Sequence, residues 1–389
     1  MTRMRLCMRP RVYRFCHNAP MAAGDGDARV IHGCMSGTSC DGIDVAAVAI
    51  EGHGWSMRPR FLAGASLPYD EAMPGLAARV RSALRQEPTT AGNLARLGHD
   101  LAHAHVRALR ELARNAAAPT AIAMHGQTLF HAPPVSWQLC APWPVAEAFG
   151  VPVLHDLRGA DLAAGGQGAP LTPTSDFLMY AGNAPTAVVN LGGFANATVL
   201  PPRSGDPSTV RGFDVCLCNQ LLDELARTRL GQPCDWDGRA ASSGKVDSAA
   251  KHELVALLSA QAQSGRSLGT SDESVATASR MLAHRAPADA CATAVSAIAH
   301  TILTVLGQHE VHHLALAGGG VLNLSLDAAL RAGIPGGAPS TAAAWPPAYR
   351  EAAAMAILGA LALDGVPPGL PAVTKRRNHA GCCCTTISP

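Results

Sequence analysis

"RVIHGCMSGTSCDGIDVAAVAI", residues 29–50, decides the fold: an apolar strand, a turn of small and polar residues, then a second apolar strand. Val30-Ile31 and the run from Val45 to Ile50 are β-forming. The cluster 36–44 between them holds the glycines and hydroxyls that turn a chain. The same unit recurs in "PTAVVNLGGFANATVL" (185–200), with its turn at Asn190–Asn196, and a third glycine turn, 318–320, follows the strand in "HHLALAGGG". Two such units a domain length apart predict an α/β chain of two related lobes facing each other across a nucleotide cleft. Each lobe then lends a backbone loop to the phosphates.

Working outward, "LARLGHDLAHAHVRALRELARNA" places Leu94, Leu97, Leu101, His105 and Leu109 on one repeating helical face. "TAIAMHGQTLF" and "VPVLHD" read as further strands. Helices are expected around 215–230 and 249–262, in "ATAVSAIAHTILTVL", in "NLSLDAALRAG" and in "YREAAAMAILGALAL". The expected division is a first lobe over 29–150 plus 345–365 and a second over 151–344. Residues 366–389 read as a disordered tail. Residues 1–28 read as an extension that is disordered or an over-extended start ahead of Met21.

The chain has 389 residues, 48% hydrophobic and 15% charged, so it can bury a large core; aromatics are only 4%, which leaves Ala, Val, Leu and Ile to build it. A net charge of +2 with no basic patch in the body argues against nucleic acid as a partner. The twelve cysteines are scattered, with no CxxC pair, as in a chain kept reduced. No apolar run is read as spanning a bilayer, and the Arg-rich start lacks the apolar stretch of a secretory signal. The expectation is a cytoplasmic protein with no membrane partner.

The first loop, "MSGTSCDGID", presents backbone N–H groups of Gly37, Thr38 and Ser39 as a concave anion site. Asp41 and Asp44 add carboxylates suited to Mg²⁺, directly or through water. The same letters also fit a plain hairpin with Asp-Gly at its tip. "NLGGFAN" and "AGGG" carry the same ambiguity; the latter fits adenosine or ribose against bare backbone. "HDLRGADLAAGGQGAPLTP" (155–173) sets Asp156, Arg158 and Asp161 beside a glycine loop, where a carboxylate can serve as a base or as half of a surface ion pair.

"HEVHH" (309–313) matches a zinc-protease helix in letters, but it runs into a strand that would hold His309 and His313 too far apart. "GRAASSGKV" (238–246) lacks the spacing and the hydroxyl of a P-loop. His99, His103 and His105 read as ordinary helix histidines.

Taken in this order, "MSGTSCDGID", "HGQTLFHAP", "GVPVLHDLRGADLAAGGQGAPL", "VVNLGGFANAT", "GFD…CNQLLD", "CDWDGRAASSGKV" and "LALAGGGVLN" resemble the anhydro-N-acetylmuramic acid kinase family over roughly 29–365. The resemblance implies a two-lobed, actin-like (ribonuclease H-like) α/β fold. It further implies a cytoplasmic homodimer that uses ATP, Mg²⁺ and water to turn 1,6-anhydro-N-acetylmuramic acid into N-acetylmuramic acid 6-phosphate. Carried over by position, Gly37, Thr38, Ser39, Cys40, Asp41, Gly42, Ile43 and Asp44 would bind nucleotide, with Asn190, Gly192, Gly193, Gly318, Gly319 and Gly320. Asp41 would hold Mg²⁺, Asp161 would activate water, and His125, Gln127, Arg158 and Glu351 would line the sugar site. The chain departs from the family pattern at Val215-Cys216-Leu217-Cys218, where two glycines are lost, and at Trp345-Pro346-Pro347-Ala348, with Glu351 kept. "AQSGRSLG" keeps only Ser264-Gly265-Arg266. Those changes leave a second reading, an impaired relative that binds nucleotide or sugar as a sensor.

Overall fold

A hairpin opens the fold. In the computed structural model the strands of residues 29–50 pair antiparallel from Arg29↔Ile50 to Met35↔Asp44, with the glycine-rich loop at the open end. The structure describes residues 28–37, 40–263, 274–334, 345–377 and 385–388. Thr38, Ser39, the extension 1–27, residues 264–266 and the cysteine triplet 382–384 lie outside them.

Among the described residues the strands are β1 (Arg29–Ser36), β2 (Gly42–Glu51), β3 (Arg58–Pro68), β4 (Ala121–Ala132), β5 (Val135–Leu139), β6 (Val153–His155), β7 (Thr186–Leu191), β8 (Phe194–Leu200), β9 (Arg211–Leu217), β10 (His313–Ala317) and β11 (Thr385–Ile387). They form two sheets, one in each of two compact units: Met1–Leu178 with Tyr349–Pro389, and Met179–Ala348.

The sheet of the first unit runs β11-β6-β4-β1-β2-β3, with β5 paired to β4. β1, β2 and β3 form an antiparallel meander, and β4 lies parallel to β1. The second unit repeats this in β10-β7-β8-β9, where β7, β8 and β9 are the meander and β10 lies parallel to β7. Each unit thus has the ribonuclease H-like strand order, and the chain is a two-unit actin-like α/β protein.

In the first unit the helix Arg350–Leu363 lies on β1, β2 and β4 at very short range. A Cβ on Gly33 would stand 1.9 Å from the Ala352 carbonyl oxygen, and one on Gly359 would stand 2.5 Å from the Ala123 Cβ. Alanine and glycine on both partners allow this approach, which explains how a core so poor in aromatics is filled. The helix Ala91–Ala113 packs against β2 and β3 through Leu97, Leu101, His105, Leu109 and Leu112. Its N-cap Thr90 accepts from the Asn93 amide. The second unit is built around the helix Pro287–Leu306. That helix, 20 residues long, is apolar and long enough to cross a membrane, contrary to expectation, but most of it is buried as the core of the unit.

Three expectations need correction. The boundary falls after Leu178 and not after 150, because β6 joins the first sheet beside β4 and Asp176 forms a buried ion pair with Arg350. The tail is partly ordered: Pro371–Thr374 is helical and β11 pairs with β6. The region expected to be helical from 215 begins as β9, and the helix starts only at Asn219.

Candidate active site

In the first unit the loop after β1 is a tight turn, with the Cys40 amide donating to the Gly37 carbonyl at 3.3 Å. Cys40 has φ +54°, and Gly42 is needed where the chain re-enters the sheet, since a Cβ there would stand 2.6 Å from the Leu67 carbonyl oxygen. Buried polar groups fix the loop from beneath. Gln127 accepts from the Tyr69 hydroxyl (2.7 Å) and donates to the carbonyls of Gly37 and Thr128 (both 3.3 Å). His105 donates from Nδ1 to the Leu101 carbonyl (2.7 Å), so its Nε2 accepts from Ser36 (3.1 Å). Burial holds His105 neutral, its pKa pulled down to about 4.

Gln127, expected at the sugar, is fully buried with its amide committed to the loop.

Above this floor the structure gathers Asp41, Asp44, Glu351, Arg158 and His125. Asp44 accepts from Ser66 and is raised to about 6, first by burial and then by the charges of Asp41 and Glu351. Burial depresses the Arg158 pKa while Glu351 opposes that shift. Arg158 donates from Nε to His125 Nε2 at 2.9 Å, and His125 donates from Nδ1 to the Gly126 carbonyl at 2.7 Å. That pair of bonds fixes one neutral tautomer. Burial, then Arg158, lowers the His125 pKa to about 3.

The result is a group of carboxylates with an oriented guanidinium, an oxygen-rich surface suited to a hard cation and an anionic ligand. Among the described residues no three His, Cys, Asp or Glu are grouped to hold a metal unaided. A hard cation held there would also keep waters or take oxygens from its ligand.

Asp161, expected to activate water, lies one turn beyond Arg158 on the helix Leu157–Ala163 and is enclosed by its own hydrogen bonds. Its carboxylate is 0% exposed. One oxygen accepts from the Thr374 hydroxyl and the other from the Gly168 amide, each at 2.8 Å. A Cβ on Gly166 or Gly369 would fall within 2.2 Å or 1.9 Å of that carboxylate. The glycines of "GGQG" serve this enclosure: Asp161 clasps the loop to the C-terminal segment, where Gln167 also donates to the Thr374 carbonyl. Each carboxylate oxygen thus has one partner, in the glycine loop or in the C-terminal segment.

In the second unit three expected segments do converge. The β7–β8 turn is Gly192-Gly193, and its carbonyls accept from the amides of Cys218, Asn219 and Gln220. Asn219 donates to the Leu191 carbonyl at 2.9 Å, and a Cβ on Gly320 would stand 2.8 Å from its Oδ1. Gly318, at φ +81°, lies against the Asn190 side chain and the Leu191 carbonyl; a Cβ on Gly319 would meet only Asn219, at 3.8 Å. Asn190, Gly192, Gly193 and Gly318–Gly320 are thus one surface of backbone with Asn219 at its centre.

The altered segment does not obstruct that surface. Val215, Cys216, Leu217 and Cys218 are all buried in the core of the second unit. Opposite Asn196, β9 carries Asp214, half-buried beside the irregularity where Ala195 pairs with Cys216 but Asn196 pairs with Asp214. The extra residue is Val215, and such a bulge re-aims its neighbours. Sequence reasoning quoted Asp214 and Asn219 within matched stretches but gave neither a role; their place beside the glycine turn was the signal. His309, from the rejected zinc motif, stacks on Phe213 at 5.3 Å.

A family model described as anhydro-N-acetylmuramic acid kinase matches residues 29–384. The anhydro-N-acetylmuramic acid kinase of Bordetella avium is 34% identical over 372 residues, 92% of this chain and 96% of that protein. The one from Bordetella petrii is 38% identical over 368 residues (90% and 94%), and that of Streptomyces coelicolor 36% over 372 (90% and 91%). Among solved structures, a ROK family glucokinase from Streptomyces griseus in complex with glucose and AMPPNP is similar at TM-score 0.38 and 12% identity, over 85% of this chain and 98% of that one.

Proposed function

Because the chain belongs to the anhydro-N-acetylmuramic acid kinase family, we propose that it converts 1,6-anhydro-N-acetylmuramic acid, ATP and water to N-acetylmuramic acid 6-phosphate and ADP, as a cytoplasmic homodimer. The observation that carries the reading is the family match across both units, residues 29–384. Water adds to the anomeric carbon, the bond from that carbon to the bridging O6 breaks, and O6 takes the γ-phosphoryl group as ADP leaves.

We assign phosphate contacts to the loop from Gly37 to Asp44 and nucleoside contacts to the glycine surface around Asn219. Asp41 and Asp44 would hold Mg²⁺, with Glu351 nearby; when bound, the ion neutralises phosphate charge during transfer. Arg158, oriented by His125, is suited to an anionic group of the sugar or nucleotide. The proton of the attacking water is assigned to Asp161, one helical turn beyond Arg158.

The test is ADP release by purified protein with ATP, Mg²⁺ and the anhydro sugar, with the product weighed. A product heavier by one phosphoryl group and one water supports the reading. ADP release that does not depend on sugar refutes it. Asp161→Asn should lower kcat by about 100-fold or more, the scale of a lost general base, and an unchanged kcat removes that assignment. Sedimentation of the untagged chain tests the dimer.

A further inference from the structure

We propose that His99 and His103 form a two-imidazole chelate for a borderline divalent transition cation of the Ni²⁺ or Zn²⁺ type. The site lies on the exposed face of the helix Ala91–Ala113, apart from the residues assigned to catalysis. The two histidines are one helical turn apart, their ring centroids are 4.4 Å apart, and their Nε2 atoms approach to 3.1 Å. Nitrogens that far apart and each about 2.05 Å from a metal subtend roughly 100° at it, between the octahedral and tetrahedral angles. Both rings therefore already converge on one coordination point.

The surroundings favour that use over a chance contact. Asp100 Oδ1 faces His99 Nδ1 at 3.4 Å, the carboxylate-behind-imidazole arrangement that leaves Nε2 as the metal-facing lone pair. The other Asp100 oxygen accepts from Arg79 at 2.6 Å, which anchors the carboxylate to the helix Leu76–Leu84. His99 has 65% of its side chain exposed, so a cation can enter and water can complete its shell. Imidazole pairs select Ni²⁺, Cu²⁺ and Zn²⁺ over the oxygen-seeking Mg²⁺. Bound metal would clip one turn of this helix and, through Asp100 and Arg79, brace it against its neighbour.

The experiment is calorimetric titration of the untagged full chain with Ni²⁺ under reducing conditions, beside His99→Ala, His103→Ala and Asp100→Asn. The expected result is one class of sites, one per chain, that each histidine variant weakens by about tenfold or more and that Asp100→Asn weakens by about tenfold. Affinity should rise from Mn²⁺ to Ni²⁺, with Mg²⁺ inert at this site. The thermal midpoint should rise with Ni²⁺ most in the wild type, less in Asp100→Asn and least in the histidine variants, while kcat is the same in all four proteins. Circular dichroism confirms that these exposed substitutions leave the fold intact. Ni²⁺ binding of unchanged affinity and stoichiometry in both histidine variants would place the ion elsewhere, for example at Cys382–Cys384, and overturn the proposal.

Discussion

Asp161 is the residue whose substitution separates a clasp from a catalytic base. Asp161→Ala removes the acceptor for the Gly168 amide and the Thr374 hydroxyl, both at 2.8 Å. Hydrogen bonds to a charged group contribute about 1.5–3 kcal/mol each, and relief of a buried charge offsets part of the loss. A net destabilisation of about 3 kcal/mol is expected. Asp161→Asn keeps the shape. Its amide oxygen can accept from Gly168 and its amide nitrogen can donate to Thr374 Oγ1, whose own proton turns to the Leu370 carbonyl at 3.3 Å. That variant should lose about 1 kcal/mol of stability but about 100-fold in kcat. Urea unfolding and coupled ADP release, run on the same preparations, read the two effects separately. An Asp161→Asn protein that keeps its full kcat would refute the base and leave Asp161 only the clasp.

Asn219→Ala removes the bond to the Leu191 carbonyl and the packing on Gly320, and should raise the KM for ATP by about fivefold to tenfold, the equivalent of one hydrogen bond. An unchanged KM would separate the glycine surface from the nucleotide. Asp176→Ala leaves Arg350 buried without its ion-pair partner and should cost about 3–5 kcal/mol in urea unfolding; a loss below about 1 kcal/mol would contradict the buried pair. Because Asp44 is raised to about 6, the folded carboxyl keeps its proton after the unfolded one has lost it. Stability should therefore fall as pH rises from the ordinary carboxylate range through about 6, and Asp44→Asn should flatten that slope in unfolding titrations.

The two hairpins were legible because each pairs apolar runs with a glycine turn, a purely local pattern. β3 was not: Pro59 and Pro68 punctuate it, and Gly64 interrupts it to admit the Tyr349 ring, a demand made by a helix nearly three hundred positions away. β11 is three residues whose strand character comes entirely from β6, so its local composition reads as tail. At the site, Asp41, Asp44, Glu351, Arg158 and His125 were legible as chemistry. Their gathering depended on the start of the helix Arg350–Leu363 reaching the first hairpin. The enclosure of Asp161 was not legible, because glycines beside a carboxylate look alike whether they admit a ligand or close around the carboxylate itself. The bonds of Gln127 to the loop were hidden for a similar reason: an amide in a polar motif does not reveal which way it faces.

The close contact of Gly33 with Ala352 also bears on how the protein is made. The face of β1, β2 and β4 that the helix Arg350–Leu363 covers is complete long before the ribosome reaches that helix. About 220 residues separate the end of β4 from the helix, roughly 10–45 s of synthesis at common elongation rates. Throughout that interval the growing polypeptide carries an open sheet of alanine, valine and isoleucine, while the intervening Met179–Ala348 segment emerges and folds on its own meander. The first unit is thus begun first and finished last, and a premature stop before residue 350 would release a chain whose second unit can close but whose first cannot.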